Sequence, residues 1–123
     1  MTDTVPIFAT PFAAVNTVEP SLVELFTLDH FSADQAWAKE RRPAVVQQAE
    51  ARLATLDAEL AKRPFILGDE FTAPDILVSA VLRLAQHTPL LRAVPHVAAY
   101  KERCEARPAW RKVLAEHQRR LAA

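Results

Sequence analysis

The side chains able to do chemistry are few in this chain and lie apart in the sequence. The four histidines, His30, His87, His96 and His117, include no pair at the three- or four-residue spacing that would set two imidazoles on one helix face, so no zinc site is expected. Cys104 has Lys101, Arg103 and Arg107 near it in sequence, and such cations could lower a thiol pKa. On a helix, however, Cys104 shares a face with Tyr100, and a packed cysteine is the expectation. A single glycine, Gly68, excludes a glycine-rich phosphate loop. Trp37 and Trp110 are too few and too separated to stack nucleic-acid bases. Lys39, Glu40, Arg41 and Arg42 read as a solvated helix end. Nothing in this inventory makes an enzyme active site by itself.

One segment does have a definite local chemistry, from Phe65 to Ile76. Thr72 is placed to cap a helix, its hydroxyl accepting from the backbone N–H three residues on. Asp75 stands at that third position and can reach back to the N–H of Thr72, which completes a capping box. The Asp75 charge also meets the positive end of the helix dipole. Phe71 before the cap and Ile76 four positions into the helix have the spacing of a hydrophobic staple. Gly68 is expected to take a left-handed conformation that turns the chain into the cap. Loss of the Thr72 hydroxyl or of the Asp75 carboxylate is expected to cost about 1–2 kcal/mol each.

The elements around this segment follow from one glycine set against nine prolines. Sheets need positive-φ turn residues that this chain hardly has, whereas proline suits the first turn of a helix. The predicted fold class is therefore all-α, a bundle of five or more helices around a central buried one. Pro43, Pro95 and Pro108 each precede a helical pattern. After Pro43, Val46, Ala49, Leu53, Leu56 and Leu60 form one apolar stripe. From Pro74 to His87 the chain is apolar nearly all round, which predicts the central helix, enclosed by others. Two amphipathic helices follow, at about Pro95 to Ala106 and Pro108 to Leu121, carrying Val97, Tyr100, Cys104, Trp110, Val113 and Leu114. Towards the N-terminus, Phe12 to Val18 and Leu22 to Leu28 look helical, with Pro20 breaking or kinking the run. Ser32 is a candidate cap for Ser32 to Arg42. Residues 1–11 are expected to be irregular, ahead of one helical domain over 12–123.

Composition bounds the partners. Fifteen Lys and Arg balance fifteen Asp and Glu, so no net field favours nucleic acid or an anionic membrane. The acids of residues 1–31 (Asp3, Glu19, Glu24, Asp29) and the basic residues of 100–123 suggest two solvated faces that could pack together. No window approaches the about 18 uninterrupted apolar residues of a membrane span. The first apolar stretch lacks a basic leader, and one cysteine fits a reducing compartment, so a cytoplasmic location is expected.

The stretch "KRPFILGDEFTAPDIL" from Lys62 to Leu77, with Leu53 to Leu60 before it, resembles the C-terminal helical domain of glutathione transferases. "PHVAAYKERCEARPAW" from Pro95 to Trp110 is similar to the family's next helices, down to the Arg107–Pro108 junction. Phe12 to Trp37, with Asn16-Thr17-Val18-Glu19-Pro20, resembles the family's first C-domain helix. The resemblance covers about Phe12 to Ala115, and it departs at Pro74, where the family more often has alanine. It implies a co-substrate pocket bordered by Phe12 and Asn16, a share of a dimer interface, and a partnering thioredoxin-like domain that holds glutathione as co-substrate. It implies no cofactor and no catalytic residue within this chain. The other reading is a stand-alone module that docks proteins or a small apolar ligand. On either reading, a helix face that such a partner would cover should be an exposed apolar patch, so self-association or a fold-back of residues 1–12 is expected.

Overall fold

The computed structural model describes the backbone of residues 11–123 and the side chains from residue 16 onward. Among the described residues five α-helices occur and no strand: α1 (Pro11–Phe31), α2 (Ala36–Leu60), α3 (Ala73–Leu82), α4 (Pro95–Glu105) and α5 (Pro108–Ala122). Two 3₁₀ turns, Arg83–Ala85 and Leu90–Ala93, join α3 to α4. Pro11 lies within α1, so the irregular segment expected for residues 1–11 falls outside the described residues up to position 10. Pro95 and Pro108 each open a helix, as their spacing predicts.

Pro20 and Pro43 behave differently. Each sits inside a helix, α1 running unbroken past Pro20 and α2 starting seven residues before Pro43. The carbonyl that each proline leaves without its helical partner belongs to Asn16 or Lys39, and both of those residues are exposed. A carbonyl on an exposed side can bond water in place of the lost N–H, which lets the helix continue where a buried proline would end it. Ser32 is correspondingly not a cap: it lies in the turn between α1 and α2, and Gln35 precedes α2 with no side-chain cap.

α1 packs along both α2 and α3, and α4 closes the bundle against α2 and α3. Val18, Leu22, Leu25 and Leu28 of α1 meet Val45, Ala49, Leu53 and Leu56 of α2, with Val78 and Leu82 of α3 and Val97 and Tyr100 of α4 in the same core. Each fully buried aliphatic side chain there stabilises the fold by about 1.5–3 kcal/mol. Glu24 and Asp29 of α1 pair with α2 rather than with the basic C-terminal helix. Arg41 grips Glu24 through two bonds, at 2.7 and 3.2 Å, and Arg42 grips Asp29 at 2.7 and 3.0 Å. Within the Lys39–Arg42 cluster, Arg41 and Arg42 are thus a clamp between two helices, while Lys39 and Glu40 remain solvated.

α4 lacks a cap of its own, because Val94 precedes it and has no polar side chain. Asp57, one turn from the end of α2, supplies the missing acceptor. Its Oδ1 accepts from the N–H groups of His96 at 2.8 Å and Val97 at 3.0 Å. Replacement of Asp57 by alanine is expected to destabilise the chain by about 1–2 kcal/mol in urea unfolding, with an unchanged denaturant slope.

Candidate functional site

The Phe65–Ile76 segment folds around the carboxylate of Asp75, which is fully buried. Thr72 and Asp75 stand in the reciprocal arrangement of a capping box. Its halves are unequal. Asp75 Oδ2 accepts from the Thr72 N–H at 2.8 Å, while the Asp75 N–H is bonded to the Thr72 carbonyl at 3.0 Å. The Thr72 hydroxyl also donates to Oδ2, at a long 3.3 Å. The other oxygen reaches beyond the cap: Oδ1 accepts from the Ile66 N–H at 3.0 Å and from the Tyr100 hydroxyl at 2.8 Å. Asp75 therefore joins the incoming loop, the start of α3 and the middle of α4. Burial is the main cause that pushes the Tyr100 phenol far above its ordinary range, with the nearby Cys104 and Asp75 adding to it. Cys104 is buried beside Tyr100, and burial pushes its thiol up to about 11, so it stays a protonated packing residue.

Gly68 has φ of +151°, an extended mirror-image conformation rather than the compact left-handed one expected. An added Cβ would meet nothing within 4 Å, so glycine is needed for the backbone angle and not for space. Phe71 and Ile76, the pair expected as a staple, border one groove between α3 and α5. Phe71 packs edge-on to Phe65 at 5.9 Å and carries the Arg107 guanidinium on its ring at 3.6 Å. Ile76 is 57 % exposed.

The enclosure expected for the central helix is incomplete. Pro74, Asp75, Val78, Ser79 and Leu82 face the core, but Ala73, Ile76, Leu77 and Ala80 form an open apolar edge, Leu77 being 44 % exposed. α5 is more open still. It has no buried residue, and Val113 and Leu121 are 62 % and 75 % exposed although they lie on its apolar stripe. Its firmest tie is Trp110, over which Arg83 sits at 5.1 Å. Of the two residues implied for a co-substrate pocket, Asn16 is exposed on α1, and the Phe12 side chain lies outside the described residues.

Sequence distance hid one cluster. His87 follows the 3₁₀ turn after α3, and its Nε2 lies 2.8 Å from Asp29 Oδ2. The His30 and His87 rings meet edge to face with centroids 4.7 Å apart, and His30 stacks on Phe26 at 4.0 Å. Among the described residues no group of three or more His, Cys, Asp or Glu is placed to hold a metal. The Arg42 hydrogen bonds hold the Asp29 carboxyl below the usual carboxylate range, against the opposing effect of burial, and the hydrogen bond to His87 adds to the lowering.

The sequence model of the glutathione S-transferase C-terminal domain matches residues 14–108. The chain belongs to that family. A comparison with curated proteins gives no match. The glutathione S-transferase C-terminal domain match spans α1 to α4 and ends at Pro108, the first residue of α5. It includes the whole Asp75 network. No helix among the described residues is long and apolar enough to cross a membrane.

Two outcomes are expected of this geometry. Asp75→Asn puts an amide N–H₂ against groups that are themselves donors and should cost about 3 kcal/mol in chemical unfolding, more than a cap alone. Thr72→Val should cost well under half of that. For Asp29 the folded-state pKa is depressed, so its contribution is complete above the unfolded value of about 3.9 and is lost as pH falls through the folded value. Asp29→Asn is expected to lower stability at pH 7 by about 1 kcal/mol and to flatten the loss of stability below about pH 4.

Proposed function

We propose that this chain is the helical half of a glutathione-transferase-type protein of the cytoplasm, forming part of the pocket for an apolar co-substrate and a share of the dimer surface. The observation that supports this most is the open apolar edge Ala73, Ile76, Leu77 and Ala80 on the helix that otherwise forms the centre of the domain. A helix that is buried on one side and apolar on the other has two partners, and this chain supplies one. The second is a thioredoxin-like domain, supplied from outside these 123 residues. That domain would hold glutathione, the co-substrate, and activate its thiol. Asn16 and Phe12 on α1 would border the apolar pocket from this side. The helical half contributes shape and apolar surface to catalysis, and no cofactor.

A second reading, a stand-alone module that docks a protein or a small apolar ligand, draws support from α5 and its uncovered stripe. The intact mass of the protein from its native source separates the two. The purified chain alone is expected to give no conjugation of glutathione to a chlorinated aromatic substrate above the uncatalysed rate. Leu77→Asp is expected to abolish binding to an added thioredoxin-like domain, with an unchanged helical circular dichroism spectrum. Robust turnover by the chain alone, or undiminished binding by the variant, would overturn this assignment.

A further inference from the structure

The groove between the first turns of α3 and α5 has a volume of about 260 Å³ and is walled by Phe71, Ile76, Trp110 and Val113, with Ser79 at its base and Arg107 at its rim. We infer that it is a binding site for a small aromatic carboxylate, whose ring lies in the apolar walls and whose charge meets Arg107. This goes beyond the proposed function: the groove shares Ile76 with the exposed edge of α3, but its other walls come from Phe71 and α5 and its ligand is a different one.

Three observations support the assignment. The first is charge. Arg41, Arg42, Arg63 and Arg83 each hold a carboxylate, and Arg103 holds the Pro64 carbonyl. Among the described residues Arg52, Arg92, Arg107 and Arg111 make no ion pair, but of the three arginines stacked on a ring, Arg107 is the one whose guanidinium has no carboxylate or carbonyl partner. Its guanidinium lies over the Phe71 ring at 3.6 Å, so the ring takes one face and leaves the N–H edge for an acceptor. A carboxylate is the acceptor that matches that edge. The second is the surroundings. Beyond the groove, α5 presents Lys112, His117 and Arg120, and the acid there, Glu116, is paired with Arg120 at 3.1 Å. On that side cations outnumber free acids, whereas Glu102 lies beside Trp110 and Glu70 beside Phe71 on the others. The third is size and wall chemistry. The volume falls just below the about 300–1,000 Å³ of drug-sized sites, which suits one or two rings. The Ser79 hydroxyl donates to the Ile76 carbonyl at 3.2 Å, so its proton is committed and it offers a ligand only acceptor lone pairs.

The test uses the full chain with Trp37→Phe, so that Trp110 gives the sole indole N–H resonance. It is titrated by NMR with 2-naphthoate, the neutral 2-naphthalenemethanol and the cationic 2-naphthylmethylamine. The expected result is a Trp110 shift with 2-naphthoate at least fivefold tighter than with the alcohol, and no saturable shift with the amine. Arg107→Gln should bring acid and alcohol to equal affinity, Arg107→Lys should keep most of the preference, and Val113→Asp should abolish binding of both. Circular dichroism and melting of each variant report whether the bundle is intact. Equal binding of acid and alcohol by the parent chain, a preference that survives Arg107→Gln, or no saturable shift would overturn the inference. So would a Trp110 resonance that moves with protein concentration in place of ligand, which would make a second copy the occupant, or a groove that opens to the acid only after residues 1–10 are deleted.

Discussion

A buried carboxylate that accepts from four donors is the constraint on which this bundle depends. Asp75 belongs to α3, yet its two oxygens bond the Ile66 N–H of the incoming loop, the N–H and hydroxyl of Thr72, and the Tyr100 hydroxyl of α4. A carboxylate taken fully out of water is tolerated only when its lone pairs are filled, and filling them fixes three pieces of backbone at once. The loop in turn is held from its outer side. Arg103 bonds the Pro64 carbonyl at 2.8 Å and Arg63 bonds the Ile66 carbonyl at 2.7 Å. Loop, helix start and α4 are thus one unit, and the apolar core packs against it.

The remaining helices are tied by groups borrowed from neighbours. Asp57 of α2 caps α4, Arg41 and Arg42 of α2 hold α1, and Glu105 of α4 pairs with Arg83 after α3. Each borrowed group couples one helix to another, so the bundle gains cooperativity where local capping is poor. α5 is the exception. With Trp110 as its main anchor and no buried residue, it is the element with the least packing to lose on opening. That is also why a groove survives beside it: a firmly docked helix would have filled the space between Phe71, Ile76 and Val113.

The same unevenness bears on function. The inner side of the domain is complete, and the outer edge of α3 and the stripe of α5 are not. Burial of these apolar surfaces would stabilise an assembly at about 25 cal/mol per Å² removed from water, before the cost of association.

The sequence by itself determined the local chemistry. The scarcity of glycine excluded sheets, Pro95 and Pro108 marked two helix starts, and Thr72 with Asp75 marked a third, because these preferences act over three or four residues. The stripe Ala49, Leu53, Leu56 and Leu60 was legible for the same reason. Pro20 and Pro43 misled, because a proline breaks a helix only if the carbonyl it strands is denied water, and exposure is a property of the fold. Only the tertiary structure decided that Asp75 reaches Tyr100, that Asp57 caps α4, that His87 meets Asp29, and that Ile76 and Val113 remain uncovered. Those facts join residues many positions apart, and periodicity tells which face of a helix is apolar without telling whether anything packs against it.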